Sequence, residues 1–214
     1  MSDSVETANL FEDATAFLAD LSANNSRDWF HANKLRYDSL LKRPAEKLAS
    51  DMAHWFEDSQ GVGVKPKLFR PHRDVRFSKD KTPYHTHLHL MWSLPDGRSW
   101  MFGLSPTYAT AGAGVMGFEK GQIDHYRAAV DGEAGQELTE LLAVGNWRLD
   151  EPELKRVPAP YPSTHDRGDL LRRKGLVVWR DNLDKALHNN PQQALQAAFA
   201  ELTPVLDWIG RALT

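Results

Sequence analysis

The fold of this chain is decided by residues Tyr84–Leu104, which read YHTHLHLMWSLPDGRSWMFGL. Residues 84–93 alternate between apolar and polar side chains, a pattern typical of a half-buried strand. Leu94-Pro95-Asp96-Gly97 is a tight-turn signal, and Trp100–Leu104 has the composition of another strand. The segment therefore predicts the start of an antiparallel meander.

Helical patterns flank this meander on both sides. Apolar residues recur at helical spacing from Asn9 onward, Asn25 is a candidate cap for a second helix, and Pro44 suits the first turn of a third. After the meander, residues 119–144 again have helical spacing, and a last helix begins near Pro191, which Pro204 should bend or divide. Helices, then strands, then helices predict an α+β fold with a central antiparallel sheet.

The remaining segments set the expected domain organisation. Residues 66–77 and 110–118 have strand character, whereas residues 145–180 contain four prolines and are predicted to be irregular. Residues 1–8 are predicted to form a disordered tail. Residues 9–214 are long enough for one well-filled core and are predicted to form a single domain.

Composition narrows the class of protein. The chain has 214 residues, 41% hydrophobic and 26% charged, with a net charge of −3, which argues against a general binder of nucleic acid or membrane surfaces. The absence of cysteine excludes disulfides, thiolate metal sites and cysteine nucleophiles. The polar start lacks the features of a secretory signal, and no apolar stretch approaches the length of a membrane span. A cytoplasmic protein without a membrane partner is expected.

The charge of residues 65–89, KPKLFRPHRDVRFSKDKTPYHTHLH, contrasts with that of the whole chain. This segment holds seven lysines and arginines, two aspartates and four of the nine histidines. A strongly positive segment in an acidic protein is the most informative feature of the composition. It indicates a surface suited to carboxylate or phosphate groups.

Strand parity divides this segment into two faces. If it is extended, an interior face carries Val75, Phe77, Tyr84, Leu88 and Leu90, and a displayed face carries Arg70, His72, Asp74, Arg76, His85, His87 and His89. A hairpin that pairs Phe77 with Tyr84 would set Asp74 opposite His87 and His72 opposite His89. An aspartate beside a histidine fixes its tautomer and raises its basicity, so Asp74 and His87 are the predicted catalytic acid/base pair.

Three motifs resemble a known family. They are Asn24-Asn25-x-Arg27-x-Trp29-Phe30 with Lys34 and Tyr37, then Arg70-x-x-Arg73-Asp74-x-Arg76-Phe77-Ser78-x-Asp80-Lys81-x-Pro83-Tyr84 with Thr86-His87, and Leu170-Leu171-Arg172-Arg173-Lys174. The chain resembles, over nearly its whole length, the family known as domain of unknown function 2461. The resemblance implies no reaction and no cofactor. It marks as signature positions Arg70, Arg73, Asp74, Arg76, Ser78, Asp80, Lys81, Tyr84 and His87, and leaves His72, His85 and His89 outside the signature.

Two functions and one structural role are compatible with these residues. The favoured function is binding, or conversion, of a small anionic metabolite. The predicted ligand-binding residues are Arg70, Arg73, Arg76, Lys81, Tyr84, Arg172, Arg173 and Lys174. The alternative is a basic surface that docks an acidic protein segment or single-stranded nucleic acid. The third interpretation is that an Arg–Asp network merely stabilises the fold.

Two further motifs match known binding patterns but have simpler structural explanations. His85, His87 and His89 with Asp74 could supply metal ligands, but the neighbouring lysines and arginines repel a cation, so no metal or cofactor is predicted. Residues 112–117, GAGVMG, match the dinucleotide fingerprint G-x-G-x-x-G. That motif requires the first turn of a parallel βα unit, so small residues in a closely packed strand explain the match better.

Overall fold

The computed structural model describes residues 10–61 and 63–214, so the predicted disordered tail, residues 1–8, lies outside the described residues. The N-terminal part is helical, as predicted. Its helices are Leu10–Ala23 (α1), Arg27–Ala32 (α2), Lys34–Tyr37 (α3) and Arg43–Gln60 (α4), with the π-helical turn Asp38–Lys42 before α4. Pro44 lies in the first turn of α4, where its missing N–H costs no hydrogen bond. Ser26, and not Asn25, caps α2, because its side chain accepts the Trp29 N–H.

The central strands form one antiparallel sheet. The strands are Lys65–Leu68 (β1), Leu88–Ser93 (β2), Ser99–Ser105 (β3), Tyr108–Val115 (β4), Arg148–Leu149 (β5) and Leu176–Arg180 (β6). Their order in the six-stranded sheet is β1-β2-β3-β4-β6-β5. The predicted α+β class and the meander β2-β3-β4 are confirmed. The prediction of an irregular segment at 145–180 was wrong for β5 and β6, which extend the sheet beyond β4.

The C-terminal helices complete the cover of the sheet. They are Lys120–Asp131 (α5), Ala134–Val144 (α6), Gly168–Leu171 (α7), Asp184–Asn189 (α8) and Pro191–Ala212 (α9). Pro204 lies inside α9 but does not divide it into two helices. In the described part of the chain, no helix is long and apolar enough to cross a membrane.

One face of the sheet is packed against helices α1, α4 and α9 and is called here the covered face. On β2 its residues Leu88, Leu90 and Trp92 are at most 2% exposed. The Trp100 ring of β3 stacks on Phe56 of α4 at a centroid distance of 4.2 Å. Burying a side chain of this size contributes about 1.5–3 kcal/mol, so this face supplies much of the stability.

The other side of the sheet, called here the open face, has a different composition. One row of cross-strand neighbours runs over all six strands and consists of Lys67, Met91, Met101, Gly112, Trp179 and Arg148. Beside it lies a second row of His89, Gly103 and Thr110. This face therefore carries glycines, methionines and polar groups where the covered face carries large apolar side chains.

Two details of the predicted hairpin were wrong. The strands end at Leu68 and begin again at Leu88, and between them only His72 and Tyr84 form a bridge, so the predicted pairing of Phe77 with Tyr84 does not exist. Phe77, predicted to be interior, is 96% exposed. Prolines 71 and 83 flank the bridge, and because proline cannot donate a ladder hydrogen bond, a regular hairpin cannot continue there.

Candidate functional site

The segment between β1 and β2, residues 69–87, is called here the signature loop. Its base is held by backbone hydrogen bonds from Arg73 N–H to Pro83 O (2.9 Å) and from His85 N–H to Pro71 O (2.7 Å). The loop is therefore closed at one position and irregular elsewhere. Its charged side chains are distributed by loop geometry and not by strand parity.

The base of the loop is also fixed to the N-terminal helices. The Asn25 side chain donates to Tyr84 O (2.9 Å) and accepts the Tyr84 N–H (3.1 Å). The Asn25 amide thus makes the two backbone hydrogen bonds that a neighbouring strand would make. The Tyr84 ring is 7% exposed and stacks on Phe30 at 4.1 Å. Through these contacts the first sequence motif, which contains Asn25 and Phe30, fixes the position of the second motif at Tyr84.

Inside the loop, a second network surrounds Arg73. Its Nη1 donates to Asp80 Oδ2 (2.5 Å), to Thr82 O (3.1 Å) and to the Thr82 hydroxyl. Asp80 also accepts the Thr82 N–H, and this bond, with those from Arg73 and the Thr82 hydroxyl, lowers the pKa of Asp80 to about 2. Lys81 Nζ donates to Val75 O at 3.0 Å and so closes the tip of the loop. Arg73 and Lys81 thus have structural contacts as well as charge.

The tip of the loop carries the exposed ion pair of Asp74 and Arg76. Arg76 Nη2 donates to Asp74 Oδ2 at 2.7 Å, and this pairing lowers the pKa of Asp74. The Arg76 side chain is 77% exposed, and Arg70 is exposed as well. Because the predicted hairpin register is absent, Asp74 does not lie opposite His87, and no described hydrogen bond joins the two residues.

Three of the predicted site residues line one cleft. Arg73, Tyr84 and His87 face a cavity of about 410 Å³, called here the signature cleft, together with Asn25 and His85. Arg73 uses only Nη1 in the hydrogen bonds of the described residues, so its Nε and Nη2 donors remain for a ligand. The cleft brings together residues that are about sixty positions apart in the sequence, through the Asn25–Tyr84 contact.

The rings of His85, His87 and His89 lie next to one another along β2 and the residues that precede it, and those of His87 and His89 are stacked. The rings of His85 and His87 lie 4.7 Å apart and those of His87 and His89 lie 3.8 Å apart, nearly parallel. Burial, and then the neighbouring His89 and His85, lower the pKa of His87 to about 4; burial, and then His85, also lower that of His89. At neutral pH these rings are uncharged, so His87 can accept or donate a hydrogen bond but is a weak base.

The stacked arrangement does not suit a shared metal ion. The rings of His87 and His89 are inclined to each other by only 14°, so their nitrogen lone pairs lie in nearly parallel planes and do not converge on one ion. Within residues 10–61 and 63–214, no group of three or more histidine, aspartate or glutamate side chains is arranged to hold a metal.

The third motif lies in a different part of the molecule. Arg172 donates to Asp169 at 2.6 Å and lines a separate cavity of about 750 Å³ with Lys155, Arg156 and Arg167. Arg173 is buried and donates to Asp150 O at 2.7 Å, while Lys174 is exposed. None of the three lines the signature cleft, so the structure does not bring these predicted ligand-binding residues together with Arg73, Tyr84 and His87.

A second hollow, on the open face, was missed by the sequence analysis. A cavity of about 790 Å³, called here the open-face cavity, is lined by His89, Tyr108, Arg148, Trp179 and Asp181 among others. Its polar residues include Arg148 and Asp150, which lie in the segment 145–180 that was predicted to be irregular, and Asp181, Asn182 and Asp184, which follow that segment. The apolar run Leu176–Trp179 was a strand signal, but the four prolines of residues 145–180 obscured it.

The polar side of the open-face cavity is a connected network. Arg148 Nε donates to Asp181 Oδ2 (2.8 Å) and Nη1 donates to Asp150 Oδ1 (2.5 Å). Thr110 donates to Asp181 Oδ1 (2.6 Å), and Trp179 Nε1 donates to Asp150 Oδ2 (3.0 Å). The hydrogen bond from Arg148 lowers the pKa of Asp181, so this carboxylate is ionised at neutral pH. The hydrogen bonds to Asp150 and Asp181 hold the guanidinium in place.

The fold and these two cavities define the class of protein: an α+β protein whose antiparallel sheet is packed against helices on one face and has one cavity on its other face and a second at the base of the signature loop. The chain belongs to the family described as conserved hypothetical protein, DUF2461, whose model matches residues 13–208. Searches of the curated proteins and of the solved structures found no match to this chain.

Proposed function

We propose that the protein binds a small phosphate- or carboxylate-bearing molecule in the signature cleft. The observation that carries the proposal is the convergence of Arg73, His85 and His87 on one cleft in which the Nε and Nη2 donors of Arg73 are unused within the described residues. A guanidinium presents paired N–H groups at the spacing of carboxylate and phosphate oxygens. The neutral rings of His85 and His87 supply N–H donors and add no positive charge that would repel the Arg73 guanidinium.

The electrostatic surroundings of the cleft support the proposal. Residues 65–81 contain seven lysines and arginines against two aspartates. Asp80, the carboxylate at the cleft, is already neutralised by Arg73 and by the Thr82 N–H. An incoming anion therefore meets a positive segment and a carboxylate whose charge is compensated.

Inorganic phosphate and citrate are suitable probes, and binding is measured by calorimetry and by the rise in melting temperature. Arg73→Lys keeps the charge but loses the fork, and we expect it to weaken binding by about tenfold. His87→Gln is expected to weaken binding by a smaller factor. Arg76→Gln, at the exposed tip, is the matched control that removes a charge outside the cleft.

Two results would contradict this assignment. One is a wild-type protein that binds neither anion; the other is equal binding by all three variants. If Arg73→Lys lowers the melting temperature without changing anion affinity, the Arg73–Asp80 network serves the fold alone.

A second candidate function has a specific observation in its favour. Phe77 is 96% exposed at the tip of the loop, and the Arg76 guanidinium lies 5.9 Å from its ring. Exposed Phe69 similarly has Lys67 Nζ at 4.4 Å. Exposed rings beside cations are the arrangement that stacks the bases of single-stranded nucleic acid.

Fluorescence anisotropy with a short oligothymidine tests this second candidate. Binding should weaken steeply with salt, and Phe77→Ala should reduce it several-fold. Leu35→Ala, which removes another exposed apolar side chain (85% exposed), is the control. Binding of an acidic peptide that depends on salt but not on Phe77 would instead assign the tip to a protein partner.

A further inference from the structure

The open-face cavity is separate from the signature cleft and is built differently. Its lining includes Gly103 of β3 and Trp179 of β6, and the Trp179 ring lies against Gly112 of β4. A Cβ atom at Gly112 would lie 2.4 Å from Trp179 Cε3, and one at Gly103 would lie 3.2 Å from Tyr108 Cε2. The absence of a Cβ atom at these two glycines lets the Trp179 and Tyr108 rings of the lining lie close to the backbone of the sheet.

The body of the cavity is apolar and aromatic. Met91 and Met101 lie side by side on the central row, and Phe69, Tyr108 and Trp179 add aromatic rings. A volume of about 790 Å³ lies within the range of roughly 300–1,000 Å³ that is usual for small-molecule pockets. Methionines adapt their shape to a ligand, so the hollow suits a compact apolar body.

The charged groups of the cavity favour a cation. Three carboxylates, those of Asp150, Asp181 and Asp184, face the cavity against the single guanidinium of Arg148. Arg148 is already neutralised by Asp150 and Asp181. Asp184 has no hydrogen-bond or ion-pair partner among the residues that the structure describes, so its carboxylate is unused.

The histidine on the opposite wall does not offset this negative charge. His89 Nε2 lies 3.0 Å from the Tyr108 hydroxyl, and burial lowers the pKa of the ring below its ordinary value. His89 is therefore neutral at pH 7. An anionic ligand would meet the uncompensated carboxylate of Asp184, whereas a cationic ligand would meet that carboxylate and the aromatic side chains of the lining.

We propose that the open-face cavity binds a small organic cation, a protonated amine carried on an aromatic body, with Asp184 pairing the ammonium and the methionines and aromatic rings packing the body. The ring face of Trp179 is already occupied by Arg148, whose guanidinium carbon lies 5.4 Å from the ring centre. Arg148 is thus a built-in example of a cation held by a tryptophan and two carboxylates. The inference stands on the open face alone and does not depend on anion binding in the signature cleft.

The test uses amines and carboxylates of matched shape on the full chain. Tryptamine is compared with indole-3-propionate, and phenethylamine with 3-phenylpropionate, by calorimetry. We expect at least one amine to bind saturably and its carboxylate partner to bind at least about tenfold more weakly. The side-chain N–H resonance of Trp179, assigned with Trp179→Phe, should shift on addition of the amine.

Asp184→Asn is the decisive variant, because Asp184 lies in the first turn of α8 and has no described partner to lose. It should weaken amine binding by about fivefold or more. Asp28→Asn removes the same charge from the first turn of α2, away from the cavity, and should leave the affinity unchanged.

Four outcomes would overturn the inference: equal binding of amine and carboxylate, no saturable binding of either amine in the millimolar range, equal weakening by Asp184→Asn and Asp28→Asn, and an unmoved Trp179 resonance. Loss of phosphate binding in the Arg73→Lys variant would leave these outcomes untouched, so failure of the two proposals can be told apart.

Discussion

The two faces of the sheet are formed by the same strands but differ in burial and composition. On the covered face, alternate residues such as Leu90, Trp100 and Val178 are at most 1% exposed and pack against helices. On the open face, their immediate neighbours are His89, Met101 and Trp179, which surround a cavity. The comparison shows that burial is concentrated on one face, whereas the other face carries glycines, a partly exposed polar network and neutral histidines, which would weaken a core.

The largest expected difference between the faces comes from two neighbouring residues of β2. Leu90→Ala empties space in the covered core and should lower the free energy of unfolding by about 2–5 kcal/mol. Met91→Ala, one position along on the open face, should cost clearly less, because Met91 is partly exposed and borders a cavity. Urea denaturation of both variants measures the difference. Equal losses would mean that the open face is also a packed core.

The next effect concerns the glycines of β4. Gly114 has a φ of 148°, and a Cβ atom there would lie 1.9 Å from Leu176 O. Gly114→Ala should therefore cost at least about 2 kcal/mol, since both the backbone and its β6 neighbour are strained. Gly117→Ala, with nothing within 4 Å of its Cβ position, should change stability by less than about 0.5 kcal/mol. If Gly114→Ala changed the free energy of unfolding as little as Gly117→Ala, close packing would not explain this glycine-rich stretch.

A smaller effect is expected in the polar network of the open face. Thr110 is 8% exposed and donates to Asp181, so Thr110→Val leaves that carboxylate with one partner fewer. The expected cost is about 1 kcal/mol in urea denaturation. Thr139→Val removes a hydroxyl that, among the described residues, bonds only to Gly135 O of its own helix, and this change should be nearly neutral. A neutral result at Thr110 would show that water replaces the hydroxyl and that this part of the face is open.

The smallest effect is a dependence of stability on pH. The pKa of His87 is about 4 in the folded protein, below its ordinary value of 6.5, so below about pH 6.5 the unfolded chain binds more protons and folding loses stability. Solvent screening of the partly exposed ring should limit the change to roughly 1 kcal/mol, or about 2–4 °C in melting temperature.

Thermal scans between pH 5 and pH 7 should show a shallower fall for His87→Gln than for the wild type. The exposed His54 of α4 provides the matched control, and His54→Gln should keep the wild-type slope. An unchanged slope in His87→Gln would place the acid sensitivity elsewhere.

The sequence by itself determined the α+β class, the meander β2-β3-β4, the long last helix from Pro191 and the interior parity of Tyr84, Leu88 and Leu90. Those features follow from local periodicity, and proline and glycine mark their limits. The family resemblance, carried by long contiguous motifs, was also accessible from the sequence and is confirmed over residues 13–208. The explanation of Gly112–Gly117 by close strand packing agrees with the contacts of Gly112 and Gly114.

Only the tertiary structure decided where the charged side chains lie. Parity holds within a strand, but residues 69–87 form a loop in which proline interrupts the ladder, so Phe77 became exposed and Asp74 paired with Arg76 instead of facing His87. The partners of Tyr84 and Asp181 come from Asn25 and Arg148, which are distant in sequence. The physical reason is that long-range pairing depends on how strands β5 and β6 and the N-terminal helices dock, and neither contact leaves a periodic pattern in the chain.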